Sequence, residues 1–263
     1  MAKALGFLLS GLPPLRGLLP LGFFLGAWQV INPQHSPYFP PPSAWYASMV
    51  ALSKSGRLWP ALSSTLVTFV LAIAVASVLG GAAGILIGRS RLARRILGPL
   101  LEFCRGLPPP VVVPAAVLVL GYVEILKLVI VVMVAIWPIL LNTASSTGAI
   151  SELLGDVSRT LRIGRVATLR KIVLPAAVPA FLIGVRSAVP LAIVITLLVE
   201  MITSLPGIGS LIVISQRQFH SAEVYGLLVV VGFMGFVLNT AFGTLEGLLL
   251  RRWPPKALYA MGR

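Results

Sequence analysis

Six stretches of the chain are apolar over lengths that fit a bilayer better than a globular core. Residues 58–88, 106–123, 128–151 and 224–245 carry no charged side chain, and 175–199 is interrupted only by Arg186. Residues 17–31 form a sixth, shorter stretch that contains Pro20. A helix needs about 20 predominantly apolar residues to cross the hydrocarbon layer. The pattern therefore predicts an all-α, polytopic membrane protein with about six transmembrane helices, organised as a single domain over 1–263. Residues 1–30 imitate a signal peptide, but no clean small-residue cleavage site follows the apolar stretch, so the segment is read as a retained helix.

The polar segments between these runs have their own character. Residues 32–56 are proline-rich and then turn amphipathic, which predicts an extended segment followed by a short helix, with Trp45 and Tyr46 suited to the membrane interface. Residues 89–96, RSRLARRI, read as a short basic turn. Residues 107–114, LPPPVVVP, place four prolines in the third apolar run, where missing backbone donors prevent a regular helix. Irregular backbone at membrane depth survives only where it is buried in protein or lines a cavity, so this run is expected to face a partner or a pathway. Residues 204–223 carry Pro-Gly and Gly-Ile-Gly punctuation that predicts a turn and a short surface or re-entrant helix.

Composition agrees: 57% of residues are hydrophobic and 11% charged, against about 25% charged in a soluble domain. A net charge of +14 raises the question of nucleic acid. The basic residues lie between apolar runs rather than on a patterned surface, so no nucleic-acid partner is expected. With the N-terminus inside, six spans place fifteen Lys and Arg residues on the cytoplasmic side and three (Lys54, Arg57 and Arg217) outside. This is the bias that orients membrane proteins, and it puts both termini in the cytoplasm. Cys104 is the only cysteine, and His35 and His220 stand alone, so no metal site is expected. GxxxxGK[ST] is absent, so the chain is not expected to bind ATP through a P-loop.

One cytoplasmic segment, 149–176, is long and patterned: AISELLGDVSRTLRIGRVATLRKIVLPA. Ser151 is placed to cap a helix, with Glu152 near its positive end. Leu153, Leu154, Val157 and Leu161 follow at helical spacing and form one apolar face. A second short amphipathic piece, 166–173, is expected to end at Leu174 and Pro175. Such a loop fits either a bilayer surface or a groove on a soluble partner.

The order of residues resembles the EAA loop of permease subunits of ABC importers, E-A-A-x-x-x-G followed at a fixed distance by I-x-L-P. Asp156, Val157 and Ser158 stand at the E-A-A positions, Arg159, Thr160 and Leu161 follow, and Ile172, Leu174 and Pro175 match I-x-L-P. Two departures stand out: Asp156 replaces the usual Glu, and Arg162 occupies the glycine position, with Gly164 the nearest glycine. Trp28, the run at 40–43, PLLEFCRGLPPPVVVPAAVLVLG at 99–121, LLNT at 140–143, VEMITSLPGIGSLI at 199–212 and RRW at 251–253 are similar to the nitrate, sulfonate, taurine and bicarbonate branch of these permeases. The resemblance implies a type I importer fold in a bacterial plasma membrane. It implies a second permease subunit forming a homo- or heterodimer, two ABC ATPase subunits that carry ATP and Mg, and an extracytoplasmic solute-binding protein. No cofactor would be bound by this chain, and it would not itself be an enzyme. Residues Leu153, Asp156, Val157, Ser158, Arg159, Thr160, Leu161, Arg162 and Gly164 would couple to the ATPase.

Ionisable residues inside apolar runs are costly and mark candidate pathways. Glu102 and Arg105 are three apart and share a helical face. Arg186 and Glu200 share a face about 21 Å apart at ~1.5 Å per residue, too far to pair within one helix. These four are the candidate pathway residues, and Arg105 and Arg186 are the positive charges expected along it, favouring an anionic solute. The competing classes are an ATPase-independent channel or secondary transporter, and a membrane enzyme. Seven scattered acidic residues disfavour the last.

Overall fold

In hydrocarbon, a spanning segment must satisfy its own backbone, and the apolar stretches do so as helices. The computed structural model describes residues 18–31, 37–148, 160 and 164–250, and every regular element among them is helical. In chain order these are α1 (Leu18–Ile31), α2 (Pro42–Lys54), α3 (Leu58–Arg89), α4 (Arg91–Gly106), α5 (Pro109–Leu120), α6 (Glu124–Gly148), α7 (Arg165–Thr168), a π-helical turn (Leu169–Val173), α8 (Leu174–Thr203), α9 (Ile208–Arg217) and α10 (Ser221–Leu250). Four stretches are long and apolar enough to cross a membrane: Leu58–Arg89, Glu124–Gly148, Val166–Thr203 and Ser221–Leu250. Helices α4 and α5 meet the same test only as a pair, bent by 94°. Helix α1 is shorter, at 14 residues.

Three expectations need correction. The basic segment at 89–96 is not a turn: it opens α4, because the Ser90 side chain accepts the Ala93 N–H at 3.1 Å and caps the helix. The arginines that follow are good helix formers, so a basic run between apolar runs does not by itself mark a turn. The amphipathic piece at 166–173 does not stop at Pro175. Proline removes the donor that would bond the Lys171 carbonyl, and the chain widens to a π turn in which the Leu174 N–H donates to the Leu169 carbonyl. The helix then runs on to Thr203. Finally, the Trp45 ring, expected like Tyr46 to be presented at the surface of the chain, is packed inside it. It is 8% exposed, whereas its neighbour Tyr46 is exposed.

The chain divides into two compact units. One comprises Met1–Trp59 with Ile212–Val230. An aromatic cluster organises its described part. Trp28 meets Trp45 edge-on at 5.3 Å between ring centres, Trp45 stacks on Tyr225 at 5.3 Å, and Phe24 packs edge-on against Trp28. Such pairs contribute roughly 0.5–1.5 kcal/mol beyond their buried area. The Trp45 indole donates to the Pro40 carbonyl at 2.8 Å. Gln29 closes the start of α2: its amide oxygen accepts the Ser43 N–H at 3.0 Å and its nitrogen donates to the Ser43 hydroxyl. Phe219, at a φ of 58°, turns the chain from α9 into α10, and the Ser215 hydroxyl donates to Glu223 at 2.7 Å across that turn.

The other unit comprises Pro60–Leu211 with Val231–Arg263. Helices α6 and α8 make its most extensive helix pairing. Close approach rests on small residues, as lipid-embedded helices require in the absence of a hydrophobic drive between them. A β-carbon at Gly184 of α8 would lie 2.8 Å from the Ile139 Cα and from the Pro138 carbonyl of α6. Gly80, Gly84 and Gly88, four apart on α3, face the same helix, and a β-carbon at Gly84 would stand 2.8 Å from the Leu140 carbonyl oxygen. Thr147 of α6 is buried there and donates to its own helix, with the Gly84 carbonyl 3.3 Å from its hydroxyl. Leu118 and Val119 of α5 and Phe233 of α10 are apolar and exposed.

Gly84→Leu is expected to lower the thermal stability of the detergent-solubilised protein, because overpacking of a close contact costs at least about 1–3 kcal/mol. Gly243→Leu, at a position with nothing within 4 Å, is the matched control. Equal melting of the two variants by fluorescence-detected size exclusion would show that α3 and α6 do not depend on this approach.

Candidate functional site

Two polar features lie within the larger unit, one a cavity and one a closed cluster. The cavity begins with the break between α4 and α5. A residue before proline is biased toward extended backbone, and Leu107 adopts it, with φ −70° and ψ 118°. Pro109 then starts α5, the bend is 94°, and Gly121 ends α5 with a φ of 76°. The break opens a cavity of about 680 Å³ lined by Cys104, Arg105, Leu107 and Pro109 from the break, by Met133, Val134, Trp137, Pro138, Leu141, Asn142 and Ser145 of α6, and by Leu191 and Ile195 of α8. Its volume lies within the range of small-molecule sites, about 300–1,000 Å³. A smaller cavity of about 240 Å³ adjoins it, sharing Leu141 and Ser145 and reaching Arg94 and Glu102 of α4.

The sequence-predicted pathway residues fall in different places. Arg105 lines the larger cavity and Glu102 the smaller, and the two form an i,i+3 ion pair of 2.7 Å with both side chains exposed. Arg186 does not line the cavity. It pairs with Glu246 of α10 at 2.9 Å, the Glu246 side chain being 9% exposed, and so joins α8 to α10. Glu200 does not line it either. Its side chain is fully buried in the closed cluster at one end of the unit. Of the coupling residues, Leu153, Asp156, Val157, Ser158, Arg159, Leu161 and Arg162 lie outside the described residues. Thr160 and Gly164 are described, and both are exposed.

Glu200 sits near the end of α8, and its carboxylate accepts from the Thr65 hydroxyl at 2.9 Å and from the Gly209 N–H at 2.9 Å. Thr65, on α3, in turn accepts the Ile208 N–H at 2.9 Å. Lys127 of α6, also fully buried, stands 3.9 Å from Glu200. Its ammonium donates to the Ser64 hydroxyl at 2.9 Å and to the Pro206 carbonyl at 2.7 Å, and pairs with the more exposed Glu124 at 2.7 Å. An ammonium carries three donors, and all three are used. The loop follows a left-handed Ser204, at a φ of 57°. A side chain at Gly207 would collide with the Glu200 carboxylate, and one at Gly209 would lie 2.8 Å from the Glu200 Cβ. That is why the run between Glu200 and Ser210 needs glycine twice. Lys127 is a residue the sequence reading left at the edge of a run. Its signal was an ammonium at the head of the 24 uncharged residues 128–151, but only its neighbours reveal its partners.

Ser210 belongs to the same tight loop: it is buried and donates to the Gly207 carbonyl at 2.9 Å. It is therefore not the accessible loop position that its place in 204–223 predicts.

A bent helix pair beside close-packed apolar helices thus bounds the larger cavity. The chain belongs to a family described as binding-protein-dependent transport system inner membrane components, whose model matches residues 76–253. It is 28% identical over 252 residues to the bicarbonate transport system permease protein CmpB of Synechococcus elongatus, covering 90% of this chain and 89% of that one. It is 26% identical to a protein named as an aliphatic sulfonates transport permease, SsuC, of Bacillus subtilis, covering 90% of this chain and 87% of that one. It is 30% identical to the nitrate import permease protein NrtB of Leptolyngbya laminosa over 72% of this chain and 67% of that one. A crystal structure of an amino acid ABC transporter with histidines superposes with a TM-score of 0.60 at 16% identity, covering 78% of this chain and 97% of that one, and so shares the fold. The chain is a multi-pass membrane component of an ABC importer, in the branch that its sequence resembles.

Lys127→Met is expected to destabilise the protein by about 3–5 kcal/mol, the usual cost of stranding one member of a buried charged pair. Lys127→Met combined with Glu200→Gln should recover part of that loss. Arg217→Gln, at an exposed position, should change stability by no more than about 0.5 kcal/mol. Thermal unfolding in detergent checks the series. A Lys127→Met protein as stable as the Arg217→Gln control would show that the cluster does not hold the helix ends.

Proposed function

We propose that this chain is the permease subunit of an ATP-driven importer that carries a small anion across a bacterial plasma membrane. The observation that carries the reading is the family match over 76–253, joined by relatives whose names specify bicarbonate, nitrate and sulfonates, all of them oxyanions. ATP and Mg would be held by separate ATPase subunits, a second permease subunit would complete the pathway, and an extracytoplasmic binding protein would deliver the solute. Both termini would lie in the cytoplasm, as the distribution of basic residues implies. The work of the chain is alternating access: ATP favours one conformation over another by differential binding in the ATPase pair.

Coupling would enter through the loop at 149–176. The helix that leaves this loop is continuous from Val166 to Thr203, 38 residues, or about 57 Å at ~1.5 Å per residue. A displacement at the docking end would therefore reach the Glu200 end without an intervening hinge of free loop. Leu153, Val157 and Leu161 would enter an apolar groove on the ATPase, each buried side chain contributing about 1.5–3 kcal/mol.

Leu161→Asp is expected to release the ATPase in pull-down from detergent, because it forces a charge into an apolar groove. Asp156→Ala should keep the ATPase bound but uncouple hydrolysis from uptake. A Leu161→Asp complex that retains its ATPase and its uptake would rule out this loop as the coupling element.

Orientation is tested separately, in a chain with Cys104 replaced by Ser. Single cysteines at Ser55 and Gln218, both exposed, should react with an impermeant thiol reagent in intact cells. One at Val166, also exposed, should react only after the membrane is opened. Labelling of Val166 from outside would overturn the topology.

A further inference from the structure

Helix α4 carries an apolar stripe and a dense charge on one short element. Leu92, Ile96, Leu100 and Phe103 recur at spacings of four, four and three and share a face. All four are more than half exposed, and no residue of α4 is buried. Ala93, Leu97, Leu101 and Cys104, one position further round, are half-buried, so the helix rests on the protein by the neighbouring face and leaves the stripe open.

The bend fixes how such a helix lies. Helices α4 and α5 meet at 94°, so when one crosses the bilayer the other runs along it. Helix α5 holds no charged residue over Pro109–Leu120. Helix α4 holds Arg91, Arg94, Arg95, Glu102 and Arg105 within 16 residues. A charged side chain at the bilayer centre costs at least about 2.5 kcal/mol. Hydrocarbon therefore takes α5, and α4 runs along its surface. An apolar face with arginines beside it is the composition of a helix that lies in the interface.

The charge on that surface is positive. Four arginines fall within seven residues, Arg89 at the end of α3 and Arg91, Arg94 and Arg95 in α4, and no acidic residue occurs from 89 to 101. Arg105, further along, is already paired with Glu102 at 2.7 Å. Arg95 stands three after Leu92 and four before Pro99, and so borders the stripe. The α4 arginines also occupy its first turns, where the helix dipole favours an anion and no acidic side chain is present. A second copy of this chain, at a net charge of +14, is poorly matched to such a surface. An acidic phospholipid matches both parts, with a phosphate for the arginines and acyl chains for the stripe.

We propose that α4 lies in the plane of the membrane and binds anionic phospholipid, with Leu92, Ile96, Leu100 and Phe103 among the acyl chains and Arg89 and Arg95 on headgroup phosphates. The inference rests on the membrane location of the chain and not on its solute.

The experiment uses the protein purified with its bound subunits, with Cys104 replaced by Ser and Ile96→Cys labelled with bimane. It is reconstituted in phosphatidylcholine vesicles containing brominated phosphatidylglycerol or brominated phosphatidylcholine at equal mole fraction. Both lipids are expected to quench the label. Half-maximal quenching by brominated phosphatidylglycerol should come at a mole fraction at least about fivefold lower, the equivalent of ~1 kcal/mol from a single arginine near an anionic headgroup. Arg89→Gln combined with Arg95→Gln should bring the two lipids close to equal. Raising the salt concentration should narrow the difference in the chain that keeps both arginines, because exposed charges are screened; this reading does not depend on how well the arginine variant folds. Absence of quenching by either lipid would show that a protein partner covers the stripe and would overturn the proposal. Equal quenching by the two lipids at low salt, or a preference unchanged by salt, would overturn the headgroup assignment.

Discussion

Glu200 and Lys127 are ionisable side chains with no exposed surface, and the end of the larger unit is arranged to satisfy them. The carboxylate takes donors from Thr65 on α3 and from the backbone of the loop after α8, while the ammonium of α6 takes the Pro206 carbonyl of that same loop. Three helices and one loop are therefore tied through two side chains. Burial of two ions is not in itself a source of stability, since desolvation offsets most of their attraction. What it provides is specificity: any other arrangement of these helix ends would leave an ion or an amide unpaired in a medium that cannot solvate it. The glycines at 207 and 209 follow from the same constraint, because the loop backbone must reach the carboxylate itself.

Away from that end the helices are held by shape. Gly80, Gly84, Gly88 and Gly184 let α3 and α8 come close to α6, where dispersion contacts replace the hydrophobic drive that lipid removes. Close packing on one side of α6 contrasts with the break on another. Three consecutive prolines deny α4 and α5 a continuous ladder, and the resulting bend leaves space that side chains from α6 and α8 only partly fill. A close-packed pair thus stands beside a broken one, and the break is where the volume lies. The π turn lies ahead of α8. It absorbs Pro175 within the helix, so the helix stays continuous from Val166 to Glu200.

Much of the architecture was legible in the sequence because the membrane reduces the choices. Uncharged runs of about 20 residues leave the backbone one solution, the helix, and the proline run at 107–114 announced the break that the structure contains. The family resemblance was carried by motifs spread along the chain and agrees with the match over 76–253. The site was less legible. The sequence named Arg105, Arg186 and Glu200 alike as pathway candidates, yet Arg105 lines the cavity while Arg186 and Glu200, on one helical face, have different surroundings, one bonded to Glu246 and the other to Thr65 and Gly209. Helical spacing gives the direction in which a residue points and says nothing of which helix stands there.

The sequence by itself determined that the chain is helical, that it spans a membrane, that a helix breaks at the prolines of 107–114, and to which family it belongs, because each of these follows from local composition and order. Only the tertiary structure decided which charges meet. Lys127 finds Pro206 across 79 positions and Thr65 finds Glu200 across 135; such pairings arise from packing between helices, where no periodicity within one helix carries the information. The same holds for Trp45, which local sequence places at an interface and which Trp28 and Tyr225 enclose. It holds for the cavity as well, which exists only because α4, α6 and α8 converge on the space that three prolines open.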